Sequence, residues 1–253
     1  MKVSFLGQAG VLLQSGDDRL VIDPYLSDNL RVLSDGTWSR AIPIPMAISE
    51  LVGVVAVVCT HEHPDHLDPV TVASLLTASP NTSLVAPAAA LDALPFRARG
   101  DQVRPMRGED DSVTLGPFNI RSIAAAHAVN YVVERTEEHG SRWCSVVVEA
   151  AGVSVFHAGD TVDYPGYVEA IGPIDIACVP INGRGREAQN IVGNLDADEA
   201  ADLCRRLEPR HALALHWDMF RGNSGDPNRF AKALDGSGIT VHIAPAVSTF
   251  DAS

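Results

Sequence analysis

Cysteine is scarce in this chain: four in 253 residues. Cys59, Cys144, Cys178 and Cys204 each stand alone among apolar neighbours. With no CxxC pair and no dense cysteine pattern, a disulfide scaffold and a cysteine-rich zinc module are excluded, and buried reduced thiols are expected. Long apolar runs are also missing. The stretch "LVGVVAVVC" at 51–59 falls well short of the roughly 20 residues that span a bilayer as a helix. The opening "MKVSFLGQAGVLLQ" carries one Lys and an early Gly and Gln, then passes into strand-like "RLVIDPY", so it does not read as a secretion signal. A cytoplasmic setting is the expectation. Positive charge is short as well, 19 Lys plus Arg against 32 Asp plus Glu, for a net charge of −13. A broad nucleic-acid or anionic-membrane surface is therefore not expected, since such surfaces need clustered cations. No GxSxG and no isolated reactive Cys supplies a side-chain nucleophile.

What is present is an ordinary globular composition, 46% hydrophobic and 20% charged, in a chain long enough for a substantial core. Short strands open it: "KVSFLG", "GVLLQS", a "GDD" turn and "RLVIDPY". A proline-bearing stretch over 25–50 follows, with Trp38, and reads as a lid or a subunit contact. "GVVAVVCT" reads as a buried strand, and "DPVTVASLLTAS" as a helix with Asp68 at its N-cap and Pro69 at its first position. "TSLVAP" is a strand and "AAALDAL" a short helix. Four extended pieces come next, "DQVRPM", "DSVTLG", "FNIRSIAAA" and "WCSVVVEAAGVSVFHAGD". Strand and helix then alternate through "DIACVPI", "DADEAADLCRRL", "HALALHW", "DPNRFAKAL" and "GITVHI". Each half opens with antiparallel strands and ends in strand–helix alternation, which predicts a four-layer α/β/β/α sandwich in one domain, 1–253. No sequence repeat and no linker divides the chain.

The chemistry lies in "THEHPDHLD" at 60–68. His61, His63, Asp65 and His66 follow directly on the buried strand. In an extended loop His61 and His63 point the same way, while Asp65 and His66 lie beyond Pro64, where the chain turns. Three more ligand types end apolar strands: His127, Asp160 and His216. Ligands of α/β sheets gather at that edge. Five imidazoles and two carboxylates suit two borderline divalent ions, zinc or manganese, better than calcium or magnesium. A lone strand-end His is an ordinary structural residue, and His211 and His242 are read that way, while His139 in "TEEHGSR" reads as a solvated turn. His157, three residues before Asp160, is a candidate to orient a ligand.

"HEHPDH", "HAGDT" and "ALHW", in that order, resemble the motifs of the metallo-β-lactamase superfamily over essentially the whole chain. The resemblance implies the αββα fold and a dinuclear site. His61, His63 and His127 would hold one metal and Asp65, His66 and His216 the other, with Asp160 bridging. Asp23 would buttress the ligand loop without binding metal. "FLGQAGVLLQSGDDRLVIDPYLSD", "THEHPDHLDP" and "NGRG" before "DADEAADL" look closest to the L-ascorbate-6-phosphate lactonase-like group. The chain departs from it in being shorter, without the N-terminal extension, and in running "AVNY" after His127 where many superfamily hydrolases have Thr-Pro-Gly-His.

The implied reaction is hydrolysis of a lactone or ester, a phosphorylated sugar lactone among the candidates, by hydroxide activated between two metals. Two divalent ions, two aspartates and a hydroxide leave about one net positive charge, suited to an electron-rich carbonyl or phosphoryl oxygen. Asp65 and His216 are the candidate catalytic ligands. Asn182, Arg184, Arg186 and Trp217 are the candidate substrate contacts, with Arg142 and Asp218 as further donors and wall. The partner is a small molecule, with room for an anionic one, and a homo-oligomer is compatible. A phosphodiesterase acting on a small phosphate ester is the alternative, and a non-enzymatic metal-binding protein the third class. A secreted β-lactamase is disfavoured because Asp160 stands where many of those enzymes carry Cys. A flavodiiron role is disfavoured because His63 stands where those sites place Glu.

Overall fold

The computed structural model describes every residue except Ala93, Val129, Asn190, Ala244, Pro245 and Ser253. Two seven-stranded sheets carry the structure. In the first, Lys2–Gly7, Gly10–Ser15 and Asp18–Ile22 pair antiparallel, after which Ala56–Val58, Ser83–Pro87 and Val103–Met106 are added in parallel. In the second, Glu109–Leu115, Phe118–Ala124, Cys144–Ala150 and Val153–His157 pair antiparallel. Ile176–Pro180, His211–Leu215 and Thr240–His242 then follow in parallel. The antiparallel-then-parallel grammar of each half is thus the architecture of each sheet. A final strand, Thr249–Asp251, returns to pair with Lys2–Gly7, so the last piece of chain closes the first sheet.

Alternating side chains divide the core into layers. Between the sheets, Phe5, Leu13, Ile22, Val58 and Val85 meet Phe118, Val146, Val155, Cys178 and Leu213. On the outer face of the first sheet, Val57 and Leu84 pack against Val72 and Leu75 of the helix Pro69–Ala78. On the outer face of the second, Val147, Val179 and Ala212 pack against Tyr167, Ala200, Leu203 and Phe230. These belong to the helices Tyr167–Ile171, Ala197–Leu207 and Pro227–Ala233. The order is helix, sheet, sheet, helix.

Local signals start these helices where the sequence places them. Asp68 accepts from Val70 N, with Pro69 at the first turn. Asp196 accepts from Asp198 N and Glu199 N, and Glu199 returns a bond to Asp196 N, a reciprocal cap. The helix expected over 88–94 is observed as Ala88–Asp92, and Ala93 lies outside the described residues. Two five-residue helices, Asn29–Leu33 and Tyr167–Ile171, have no sequence expectation behind them. Among the described residues no helix is long and apolar enough to cross a membrane. All four cysteines are free and buried.

Candidate metal centre

Four strands deliver the ligands to one place. Ala56–Val58 leads into His61, and Phe118–Ala124 continues to the short strand Ala126–His127. Val153–His157 leads to Asp160, and His211–Leu215 to His216. The last three run in the same direction, so their carboxyl ends share one sheet edge.

The seven side chains fall into two groups, His61, His63, His127 and Asp160, and then Asp65, His66 and His216. Within each group one ligand atom per residue lies within 4.8 Å of every other. In the first, His63 Nδ1 stands 2.9 Å from His61 Nε2 and 3.4 Å from His127 Nε2. Asp160 Oδ2 is 4.0 Å from His61 Nε2 and 3.8 Å from His127 Nε2. In the second, His66 Nε2 and His216 Nε2 are 3.0 Å apart, and Asp65 Oδ2 is 3.7 and 4.0 Å from them. Asp160 Oδ1 faces this second group, 3.2 Å from His66 Nε2 and 2.8 Å from His216 Nε2. One carboxylate therefore presents an oxygen to each group.

This set fits divalent cations. Asp160 Oδ1 is buried and, despite its close nitrogens, accepts no hydrogen bond. A buried carboxylate oxygen left that way costs several kcal/mol unless a cation compensates it. Mixed imidazole and carboxylate donors are the chemistry of zinc and its first-row neighbours.

Support comes from behind. Asp23, wholly buried, lies 2.7 Å from His66 Nδ1 through Oδ2. It also accepts from Thr60 N at 2.7 Å and Thr60 Oγ1 at 2.6 Å. Thr60 Oγ1 in turn is 3.1 Å from His61 Nδ1. His157 touches no ligand side chain. Its Nε2 donates to Ala9 O at 2.8 Å, and its Nδ1 accepts from Gly159 N at 3.1 Å, which holds the backbone just before Asp160. Gly159 itself has φ +61, and a Cβ there would lie 2.8 Å from Thr60; only glycine lets the Asp160 loop press on the His61 loop.

Charge within the cluster is uneven. Burial pushes His127 down to about 3. Burial and the adjacent imidazoles hold His61 well below the usual histidine range. Burial works the same way on His66, but the carboxylates of Asp160, Asp65 and Asp23 outweigh it and raise its pKa well above that range. For Asp160 burial favours the neutral acid, and His216 and His66 reverse this, holding it well below the ordinary carboxylate value. Asp65 is lowered on the same balance.

Gln8 joins this centre although nothing in its residue type announced it. It sits in the turn between the first two strands with φ +54, fully buried. Its Nε2 donates to Asp65 Oδ2 at 2.8 Å and lies 3.1 Å from His216 Nδ1. Its carbonyl accepts from His216 N at 2.8 Å, and its own N donates to Asp218 Oδ1 at 2.9 Å. The one available signal was an amide side chain inside the otherwise apolar "FLGQAGVLL".

A cavity of about 190 Å³ opens onto His63, Asp65, Asp160 and His216. Leu30 and Trp38 from the 25–50 segment form part of its wall. The expected substrate contacts are placed differently. Trp217 lies away from the cavity, stacked on Phe5 at 6.5 Å and donating through Nε1 to Ala214 O, partly buried against the core. Arg184 pairs with Glu199 and donates to Asn194 O. Arg186 donates to the carbonyls of Asn182, Gly183 and Gly222. Both brace their own loop. Asn182 bonds Asn194 and Asn223, and only Asn223 reaches the cavity. Arg142 pairs with Glu62 and Glu134, and Asp218 supports Gln8 from outside the cavity.

The model of the beta-lactamase superfamily domain matches residues 18–217. The chain belongs to the beta-lactamase superfamily. This superfamily member is 25% identical over 253 residues to a metal-dependent hydrolase of Pyrococcus furiosus, covering 98% of each chain. Its structure is similar to the metallo-beta-lactamase fold protein YhfI of Bacillus subtilis, with TM-score 0.68, 18% identity and 98% of each chain covered. It is also similar to an isothiocyanate hydrolase from Delia radicum gut bacteria, with TM-score 0.72, 18% identity and 99% of each chain covered. The two mixed sheets are those of the metallo-β-lactamase fold.

Proposed function

We propose that the protein is a metal-dependent hydrolase with a dinuclear zinc or manganese centre, cleaving the C–O bond of a small ester or lactone. The observation that carries this reading is Asp160, whose two oxygens face two separate ligand groups. His61, His63 and His127 would hold one cation, Asp65, His66 and His216 the other, and Asp160 both. When bound, the cations supply Lewis acidity and lower the pKa of a water toward 7.

The chain's own residues supply orientation and proton handling. Asp23 fixes the ring of His66 through Nδ1, which directs Nε2 into the site. Gln8 holds Asp65 and the His216 turn together. Asp65 is the more open of the two carboxylates, its side chain 16% exposed against 6% for Asp160, and it lines the cavity. It is ionised at neutral pH, and its place at the cavity beside the second ligand group, rather than its basicity, makes it the proton acceptor. Asp65 takes the proton released as water adds to the carbonyl and returns it to the departing oxygen, and His216 borders the same floor. The wall from Leu30 to Trp38 limits bulk water. The family relationship and the Pyrococcus relative's name support the reaction class.

Elemental analysis of purified protein, paired with a panel of lactones, aryl esters and bis-p-nitrophenyl phosphate with and without zinc or manganese, tests the proposal. Two metals per chain and ester or lactone turnover are expected. Turnover of the phosphodiester alone points to the phosphodiesterase reading instead. Two bound metals with no turnover of any class point to a non-enzymatic metal protein.

A further inference from the structure

The wall of the cavity opposite the ligands names the kind of substrate the site takes. Beyond the ligands it is made of Leu30, Trp38, Pro64, Ile191, Val192 and Phe220. Trp38 meets Phe220 edge-on at 5.7 Å, and Phe220 rests on Tyr25 at 5.9 Å, so the aromatic surface is backed by buried Tyr25 and Met219. The one uncharged polar group on it is Asn223. Its Oδ1 accepts from Asn182 Nδ2 at 2.8 Å, which turns the Asn223 NH2 into the available donor.

No Lys or Arg lines this cavity among the described residues. Arg221, next to the lining residue Phe220, is exposed and outside the lining, Arg184 is held by Glu199 and Asn194 O, and Arg186 by three carbonyls. Arg40 donates to the carbonyls of Tyr25 and Ser27, and Arg142 pairs with two glutamates. A phosphate lying against that wall would meet apolar carbon and no cation, a surface that offers an anion no partner. Size agrees. The cleft holds about 190 Å³, so a single ring of benzene size fits against its wall.

We propose that the group attached to the scissile carbonyl is uncharged, compact and apolar, a short alkyl or single-ring acyl group lying against Trp38 and Phe220, with Asn223 donating to a substrate oxygen. This rests on the hydrolase reading and narrows it away from a phosphorylated sugar lactone.

The test uses the metal-loaded full-length protein and two carboxylate probes, phenylacetate and 6-phosphogluconate, titrated by calorimetry. Hydrolysis of phenyl acetate and of dihydrocoumarin is measured in parallel. Phenylacetate is expected to bind at least tenfold tighter than 6-phosphogluconate. Trp38→Ala should erase at least tenfold of that preference. Ile191→Arg, which places a cation on the wall, should reverse the ranking, and this gain of affinity keeps the test decisive where Trp38→Ala fails to fold. Equal or tighter binding of 6-phosphogluconate by the unaltered protein overturns the inference, as does binding of neither probe. Apolar preference in binding without any ester turnover keeps the wall as a site for an apolar ligand but overturns the hydrolase reading, and with it the assignment of that ligand as an acyl group.

Discussion

Asp23 Oδ2 lies 2.7 Å from His66 Nδ1, and neither side chain meets solvent. The pair joins the first sheet to the ligand loop, because Asp23 ends the strand Asp18–Ile22 while also holding Thr60. Removing one member of a buried pair costs about 3–5 kcal/mol, and losing a ligand's supporting partner costs about 10–100-fold in metal affinity. Asp23→Ala is therefore expected to lower stability in urea by about that energy and to lose metal to a chelator that the parent protein resists. Asp23→Asn, which keeps an acceptor for Thr60 N, should fall between the two. Unchanged chelator resistance in both variants rules out the supporting role.

Gln8 makes a narrower prediction. Its contacts are with Asp65 and His216, both in one ligand group. Gln8→Ala should weaken one metal by about tenfold or more and leave the other nearly intact, so a titration resolves into one tight and one weak step. Uniform weakening of both steps would show that Gln8 acts on the fold rather than on that group.

The metal-free protein, prepared with a chelator, should be most stable near pH 6.5. His127 falls to about 3 in the folded state against 6.5 unfolded, and His61 is lowered with it. The unfolded chain then binds more protons between those limits, and stability drops as pH falls from 6.5 toward 3. His66 has the opposite sign: its folded pKa lies well above 6.5, so its contribution is complete below 6.5 and is lost as pH rises through the folded value. Bound zinc needs His66 Nε2 free of its proton, so metal should remove the alkaline decline. Thermal melts across pH with and without zinc check both arms.

Trp217 separates packing from catalysis. Its partly buried ring packs against Phe5 and the two core layers, away from the cavity. Trp217→Ala is expected to cost about 2–3 kcal/mol of stability with KM for a turned-over ester unchanged. A rise in KM without loss of stability would return it to the substrate wall.

The grouping of these side chains was legible because His61, His127, Asp160 and His216 each follow an apolar strand, and those strands run toward one edge. His61, His63, Asp65 and His66 also cluster within six positions, a pattern with few structural explanations. The layer order was legible from the antiparallel-then-parallel rhythm. Gln8 was not, because its role depends on a left-handed turn placing it beside residues more than fifty positions away. The partners of the "NGRGRE" arginines were not legible, because proximity along the chain to a sheet edge says nothing about whether carbonyls and Glu199 have already claimed them. The side Trp217 faces was not legible either, because a strand end next to a ligand points alternate residues to opposite sides. The helix Asn29–Leu33 escaped notice because it has no buried face and no side-chain cap.

Asp160 has one more consequence. Because its two oxygens are rigidly coupled, whichever ion arrives first freezes the torsion that the second would otherwise have to freeze. The two positions should then be linked, so that filling one changes the affinity of the other and a plot of occupancy against free metal departs from a simple hyperbola.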